Sequence, residues 1–349
     1  RIALLSTAQR EMMGSCGHPN YRLRLTLLVL AIPVLFLLSL VHGSAEIPLS
    51  DIVNILSGKG AADSSWSFIV LETRLPRAIT ALLAGGALAV SGLLLQTAFR
   101  NPLAAPDIFG ITSGSSLAVA LLTLAPGMVL TGMVGYLSSV AAAFIGAVAV
   151  TALIWLCSKM VRSSVVLIII GILVGYLCSS VITLLNFTAT EEGLRSFVFW
   201  GMGDFGNVSM EALSVFGGLT VSGTLATLLL VKPLNALLLG PRYAESMGIN
   251  VRRTRNVLML LTGLLTAVVT AFCGPIAFIA LAVPHMARLW LRTADHHWLI
   301  PATICIGGVV ALLCNVLTTL PDNGAVLPLN AITPLIGAPM IIYVILRKP

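Results

Sequence analysis

Long runs of apolar residues with few or no charges, separated by short polar segments, make up most of the chain beyond residue 24. They fall at about 25–42, 78–99, 111–125, 134–157, 165–187, 212–231, 257–273, 275–291, 299–317 and 327–346. A helix rising ~1.5 Å per residue crosses a ~30 Å hydrocarbon core in about 20 residues, so most of these runs can span a bilayer. The third run is short, and only Gly274-Pro275 divides the seventh from the eighth. Membrane helices tolerate such breaks where neighbours or a cavity satisfy the freed backbone. The pattern predicts an all-α, polytopic membrane protein of about ten transmembrane helices. Residues 1–22 are polar and aperiodic and are expected to form an N-terminal tail, with 23–349 as one transmembrane domain. The run starting at Leu25 exceeds the ~7–15 residues of a signal-peptide core and is expected to be the first crossing.

Two segments outside the runs carry their own pattern. Ile47, Leu49, Ile52, Val53, Ile55 and Leu56 predict a short amphipathic helix at the interface. Residues 232–256 combine basic and apolar positions in short helical stretches broken at Gly240-Pro241 and Gly248. That segment is either an ordinary basic loop or a docking surface for a soluble partner.

Composition supports the membrane reading. Apolar residues make up 58% of 349 and charged residues 9%, whereas soluble domains carry roughly 25% charged residues. The net charge of +7 is a topological signal, not a nucleic-acid footprint. With ten crossings, sixteen of the twenty Lys and Arg fall on the side of both termini, which the positive-inside rule makes cytoplasmic. The six cysteines form no CxxC, and all but Cys16 sit in or beside apolar spans, as small packing residues do.

One stretch, Arg74–Gly110, stands out. Its crossing contains Gly85, Gly86, Ser91, Gly92 and Gln96 and closes on Arg100-Asn101-Pro102. Small residues let neighbouring helices approach closely, so this is expected to be an inner helix of the bundle that packs around a pathway.

Much chemistry is missing. No run carries Asp, Glu, Lys or Arg in its middle, which argues against a carrier driven by an ion bound at such a group. Gly58-Lys59 lacks the spacing of a P-loop, and Gly201–Gly206 spells GxGxxG without a preceding strand, so it is a turn. His285 has the placement of a packing histidine, and His296-His297 that of a solvated turn. There is no GxSxG, no HExxH and no metal-ligand cluster. A pore without fuel or catalyst needs an external engine.

Several motifs, in one order, are family-specific: RLPR (74–77), GGALAVSGLLLQTAFRNPLAAPDIFGITSGS (85–115), LRSFVFWGMGDFG (194–206), LLLGPRYAESMGI (237–249), CGPIAFIALAVPHMAR (273–288) and LIGAP (335–339). From about residue 45 the chain resembles the FecCD-type permeases of bacterial ABC importers for iron-siderophores, haem and cobalamin. The resemblance implies a fold like that of the cobalamin-importer permease, working in the inner membrane as a homodimer. It further implies two cytoplasmic ABC ATPase subunits, a periplasmic substrate-binding protein and a metal chelate as cargo. The permease itself would be non-catalytic, with no cofactor or metal of its own. An ion-gradient-driven secondary transporter is the alternative.

The resemblance also assigns residues. Arg74 and Arg77 match outward arginines that dock the binding protein; from the residues alone they are equally an interfacial pair. Ser163 and Ser164 fall at a cytoplasmic gate or in a plain polar loop. Leu239, Gly240, Ala244, Glu245 and Gly248 match the segment that seats in the ATPase. Gly85, Gly86, Ser91, Gly92, Gln96, Asn101 and Pro102 match the packing around the pathway. The chain departs from the family at Asn315, Thr319, Val326 and Asn330, which removes a third outward arginine.

Overall fold

The structure, a computed structural model, describes residues 21–43, 45–59, 64–124, 132–161, 163–320 and 326–346. Residues 1–20 of the expected N-terminal tail lie outside the described residues, and the first described helix runs over Tyr21–Val41.

In chain order, α1 (Tyr21–Val41) crosses outward and α2 (Leu49–Leu56) follows beyond its outer end. A short α3 (Ser64–Phe68) passes through a π-helical turn, Ile69–Arg74, into α4 (Leu75–Ala98), which returns inward. Next come the crossings α5 (Ile111–Thr123), α6 (Gly132–Met160) and α7 (Ser164–Thr188), with α8 (Glu191–Gly201) on the outer side. α9 (Met210–Leu228) leads back to two short inner helices, α10 (Val231–Leu238) and α11 (Pro241–Ser246). The crossings α12 (Val251–Cys273), α13 (Ile279–Leu291), α14 (His296–Thr318) and α15 (Leu329–Leu346) finish the chain. Seven of these helices are long and apolar enough to span a bilayer, and α5, α13 and α15 are shorter apolar helices. The ten match the ten predicted runs. The helix expected near residues 47–57 forms as α2, with Ile52 and Ile55 buried and Leu49 and Val53 exposed.

α4 lies at the centre, enclosed by α14, α12, α13 and α9. Its small residues permit this. A Cβ added to Gly85 would lie 2.3 Å from the Gly307 carbonyl oxygen of α14, and one added to Gly307 would lie 2.3 Å from that of Gly85. Gly92 meets the Ala280 carbonyl of α13 more closely still, and Gly86 faces Ile304. Lipid tails are as apolar as leucine, so association here comes from close van der Waals contact and not from a hydrophobic drive. A second Gly–Gly crossing, Gly114 against Gly146, joins α5 to α6. By contrast, α7 keeps a wide apolar face exposed, including Ile169, Leu173, Tyr176 and Leu177.

α5 and α13 are short because the chain enters the bundle before helix begins. Residues 99–110 turn back from the inner end of α4, and 274–278 descend from the outer end of α12. Gly110 takes φ +73° where it rests against the Gly171 carbonyl, two turns into α7.

Replacing Gly85 by Ala forces backbone apart at the α4–α14 crossing and is expected to cost about 1–3 kcal/mol. Gly218→Ala on α9, where nothing lies within 4 Å, should be neutral or stabilising by up to about 1 kcal/mol. Thermal melts of the two purified variants in one detergent provide the comparison.

Candidate functional site

The outer end of α4 is tied to three other elements. Arg77 donates from Nε to Asn315 Oδ1 (2.8 Å) and from Nη2 to Asp204 Oδ1 (2.9 Å) and Thr318 Oγ1 (3.3 Å). Asn315 passes the link to α1 by donating to Ser39 Oγ at 2.6 Å. The Arg77–Asp204 ion pair remains partly open to solvent, its side chains 17% and 39% exposed. Arg74 is only 7% exposed. Its guanidinium donates to the carbonyls of Leu40 (2.7 Å), Val41 (2.9 Å) and Ala45. A cation at the C-terminal carbonyls of α1 satisfies groups the helix leaves free and complements its dipole. The structure therefore turns Arg74 into the fold. Arg195, by contrast, is exposed and lies 5.6 Å from the Phe199 ring. Beside this end, a cavity of about 730 Å³ opens among Tyr136, Ser139, Glu192, Trp200 and Asp204.

Within the bundle the two non-helical segments meet around a second cavity, of about 370 Å³, lined by Asp107, Thr112, Ser113, Ile276, Phe278 and Asn330. Asn330 holds this arrangement together. Its side chain donates to the carbonyls of Gly201 (3.0 Å) and Pro275 (2.7 Å) and accepts from Ala277 N at 3.1 Å. Phe278 adopts φ +68°, rare for an aromatic residue, and sets its side chain against Gly337 of α15. Asp107 follows the inner end of α4 in the sequence, yet it does not stay outside the bundle. Residues 99–110 re-enter the bundle and carry its carboxylate to the cavity, where Thr112 Oγ1 donates to it at 3.2 Å.

The inner end is a third polar cluster. Gln96, buried on α4, accepts from Arg288 and donates to the Leu281 carbonyl, while His285 Nε2 bonds the Pro102 carbonyl at 2.8 Å. Asn101 accepts from Leu103 N and so shapes the turn after α4. His296, expected in a solvated turn, is only 1% exposed. Its Nε2 lies 2.9 Å from Thr97 Oγ1 and its Nδ1 2.9 Å from Asn235 Oδ1, which also accepts from His296 N. Asn235 Nδ2 donates to Asp295 at 2.6 Å, which fixes the amide orientation. A neutral ring with the proton on Nδ1 donates to Asn235 and leaves Nε2 to accept from Thr97 Oγ1, whose single proton the Leu93 carbonyl at 2.9 Å also competes for. Burial alone would raise the Asp295 carboxyl; the bonds from His297 N and Asn235 and the nearby imidazoles outweigh it and hold the group below the ordinary carboxylate range. The start of α14 is thus bound both to α4 and to α10.

α10 and α11 form the basic cytoplasmic segment. Gly240, at φ +111°, turns the chain between them and Gly248, at φ +80°, closes α11. Ala244 is fully buried against the body, whereas Leu239, Tyr243 and Met247 are 65%, 51% and 59% exposed and Glu245 faces solvent. Ser163 is the exposed N-cap of α7, accepting from Val166 N, and Ser164 is that helix's first residue. Gly85, Gly86, Ser91 and Gly92 are all buried on α4, where they pack against the chain's own helices. Sequence reading missed His296, Asn235 and the placement of Asp107. Asp-His-His before an apolar run was a legible N-cap signal, but the burial of His296 depends on α10, distant in sequence.

This geometry defines a multi-pass membrane transport subunit, with re-entrant segments inside and partner-accessible surfaces at both ends. Residues 12–347 match the model of the FecCD transport family, and the chain belongs to that family. It is 33% identical over 333 residues to the hemin transport system permease HmuU of Yersinia pestis, covering 95% of this chain and 98% of that one. Its identity to the vitamin B12 import permease BtuC of Klebsiella pneumoniae is 33% over 325 residues, covering 93% and 92%. A solved structure of a metal-chelate type ABC transporter in an inward-facing conformation matches with a TM-score of 0.80 and 31% identity, covering 93% and 98%.

Substituting His296 by Ala removes the bridge between Thr97 and Asn235 and leaves a cavity. The expected loss is about 2–4 kcal/mol in stability. His296→Gln, which can restore one bond, should recover part of it; melting temperatures of the two variants decide.

Proposed function

We propose that this chain is the permease of an importer that carries a metal chelate across the bacterial inner membrane. The cargo is an iron-siderophore or haem, with cobalamin next. Two copies form the pathway between them, two cytoplasmic ABC ATPases power it, and a periplasmic binding protein delivers the cargo. The observation that carries the reading is the joint match of sequence and fold over nearly the whole chain to ABC importer permeases. The inner surface supports it: an apolar group of Leu239, Tyr243 and Met247 stands exposed among basic residues on α10–α11, as a docking segment requires. α7, with its uncovered apolar face, and α15 flank the re-entrant segments, and both suit an interface between two copies.

In this reading ATP-driven movement of α10–α11 reaches the crossings through the Asn235–Asp295–His296–Thr97 chain. Ser163 and Ser164, at the start of α7, form the gate at the inner mouth. Binding-protein docking falls to the outer face around Arg77, Asp204 and Arg195. Arg74 supports that face from within. Charge complementarity there steers and orients the partner.

Uptake into liposomes is expected only when the permease is assembled with its ATPase and supplied with ATP. A proton or sodium gradient alone should move nothing, and gradient-driven flux without the partner would overturn the reading. Tyr243→Asp should abolish co-purification with the ATPase while leaving the permease's melting temperature within about 1 °C, since surface substitutions change stability by less than about 0.5 kcal/mol.

A further inference from the structure

The inner cavity contains a carboxylate without a cationic partner. Asp107 opens onto the space among Thr112, Ser113, Ile276, Phe278 and Asn330. Among the described residues no Lys or Arg lies within ion-pair distance of it. Its side-chain bond is the one from the Thr112 hydroxyl. The depth of the site follows from its neighbours. Ala280, two residues beyond Phe278, packs against Gly92, about 9 Å from the inner end of α4 at ~1.5 Å per residue. Gly110, three residues after Asp107, rests on Gly171, about two turns into α7.

The surrounding backbone is non-helical on both sides. Such backbone persists at membrane depth only where protein buries it or where it lines a cavity, and here it lines one. An ionisable side chain at that depth is costly, and it marks a ligand or ion path unless a counter-charge neutralises it. The Asn330 amide offers no counter-charge, since its oxygen and nitrogen are already bonded to backbone. The start of α5 at Ile111 and the Thr112 hydroxyl support the ionised form of Asp107 without cancelling it, because a helix terminus carries only about half a unit charge.

We propose that this cavity is a cargo-contact site within the pathway, and that Asp107 makes it prefer chelates that present a positive charge, such as a protonated amine, over anionic ones. The proposal rests on the importer reading above and narrows its cargo class. Asn330 and Phe278 shape the site, and Asp107 supplies its charge preference. A single carboxylate with small hydroxyl neighbours favours a cation without the many contacts that would trap the cargo.

The test has two arms, both on the assembled importer in proteoliposomes. In the first, Ser113→Cys, with the native cysteines replaced, reacts with a cationic or an anionic methanethiosulfonate of equal size. Within one cavity and at an effective dielectric near 20, the carboxylate should favour the cationic reagent by at least about tenfold. D107N should bring the ratio to within about twofold of unity. D107S serves as a second uncharged variant should D107N fail to assemble. A rate ratio that is unchanged by removing the carboxylate overturns the proposal. The second arm compares ATP-driven uptake of a ferric hydroxamate bearing a protonated amine, a neutral ferric hydroxamate and an anionic ferric catecholate. D107N should lower uptake of the cationic chelate about tenfold relative to the anionic one. An equal fall for all three makes Asp107 structural and overturns the proposal. A wild-type importer that moves none of the three defeats the chelate reading instead, while the thiol ratio still decides the cavity's charge preference.

Discussion

Backbone contact between α4 and its neighbours is the constraint on which the rest of the structure depends. At Gly85–Gly307 and Gly92–Ala280 no side chain separates the helices, so α4 can be enclosed on nearly every side by α14, α13, α12 and α9. Close contact of this kind compensates for the missing hydrophobic drive inside a bilayer. It also decides what α4 does. A helix buried within its own chain cannot line a passage shared with another copy. The small residues of Gly85–Gly92 therefore act as the keel of the subunit. In the proposed pairing of two copies, the passage would fall to the more exposed helices α7 and α15 and to the two segments that enter the bundle without helical structure.

The keel is pinned at both ends by polar groups. Outside, Arg77 reaches Asn315, Thr318 and Asp204; inside, Thr97 and Gln96 meet His296 and Arg288. Polar groups in low dielectric are expensive when unpaired and strong when fully bonded, so these networks favour one register of α4 against α14. The inner network includes Asn235, five residues before the turn at Gly240 that leads into α11. A displacement of α10 cannot leave α14 and α4 unaffected without breaking the bonds to Asp295 and His296. That is a mechanical route from the cytoplasmic surface to the centre of the fold, with each link a specific hydrogen bond.

The ten apolar helices were legible in the sequence because they rest on properties of single segments: run length and absence of charge. The amphipathic helix at Leu49–Leu56 and the break at Gly240-Pro241 were legible for the same reason. Roles that depend on a distant partner were not. Arg74 sits at a helix boundary, as an outward docking residue would, yet the π-helical turn before Leu75 faces it toward the end of α1. His296 follows a polar turn, and only α10 and α4 make it a buried bridge. Asn315 and Asn330 stood out as departures from the family pattern, and each proves to hold distant elements together. Asn315 binds Arg77 and Ser39, and Asn330 ties the Pro275–Ala277 segment to Gly201 and the start of α15.

Asp107 shows how these levels interact. In sequence it belongs to a Pro-broken stretch after an arginine, the usual character of a cytoplasmic loop. In space it belongs to a segment that turns back from the inner end of α4 because Gly110 accepts a left-handed conformation against Gly171. The close packing that encloses α4 thus also sets where this loop returns, and the loop sets the charge of the cavity. A pathway that must release large cargo should contain few strong contacts, and the buried Arg74, Gln96 and His296 are turned into bonds within the bundle. In the proposed pathway the carboxylate of Asp107, left facing the cavity, is the charge that passing cargo would meet.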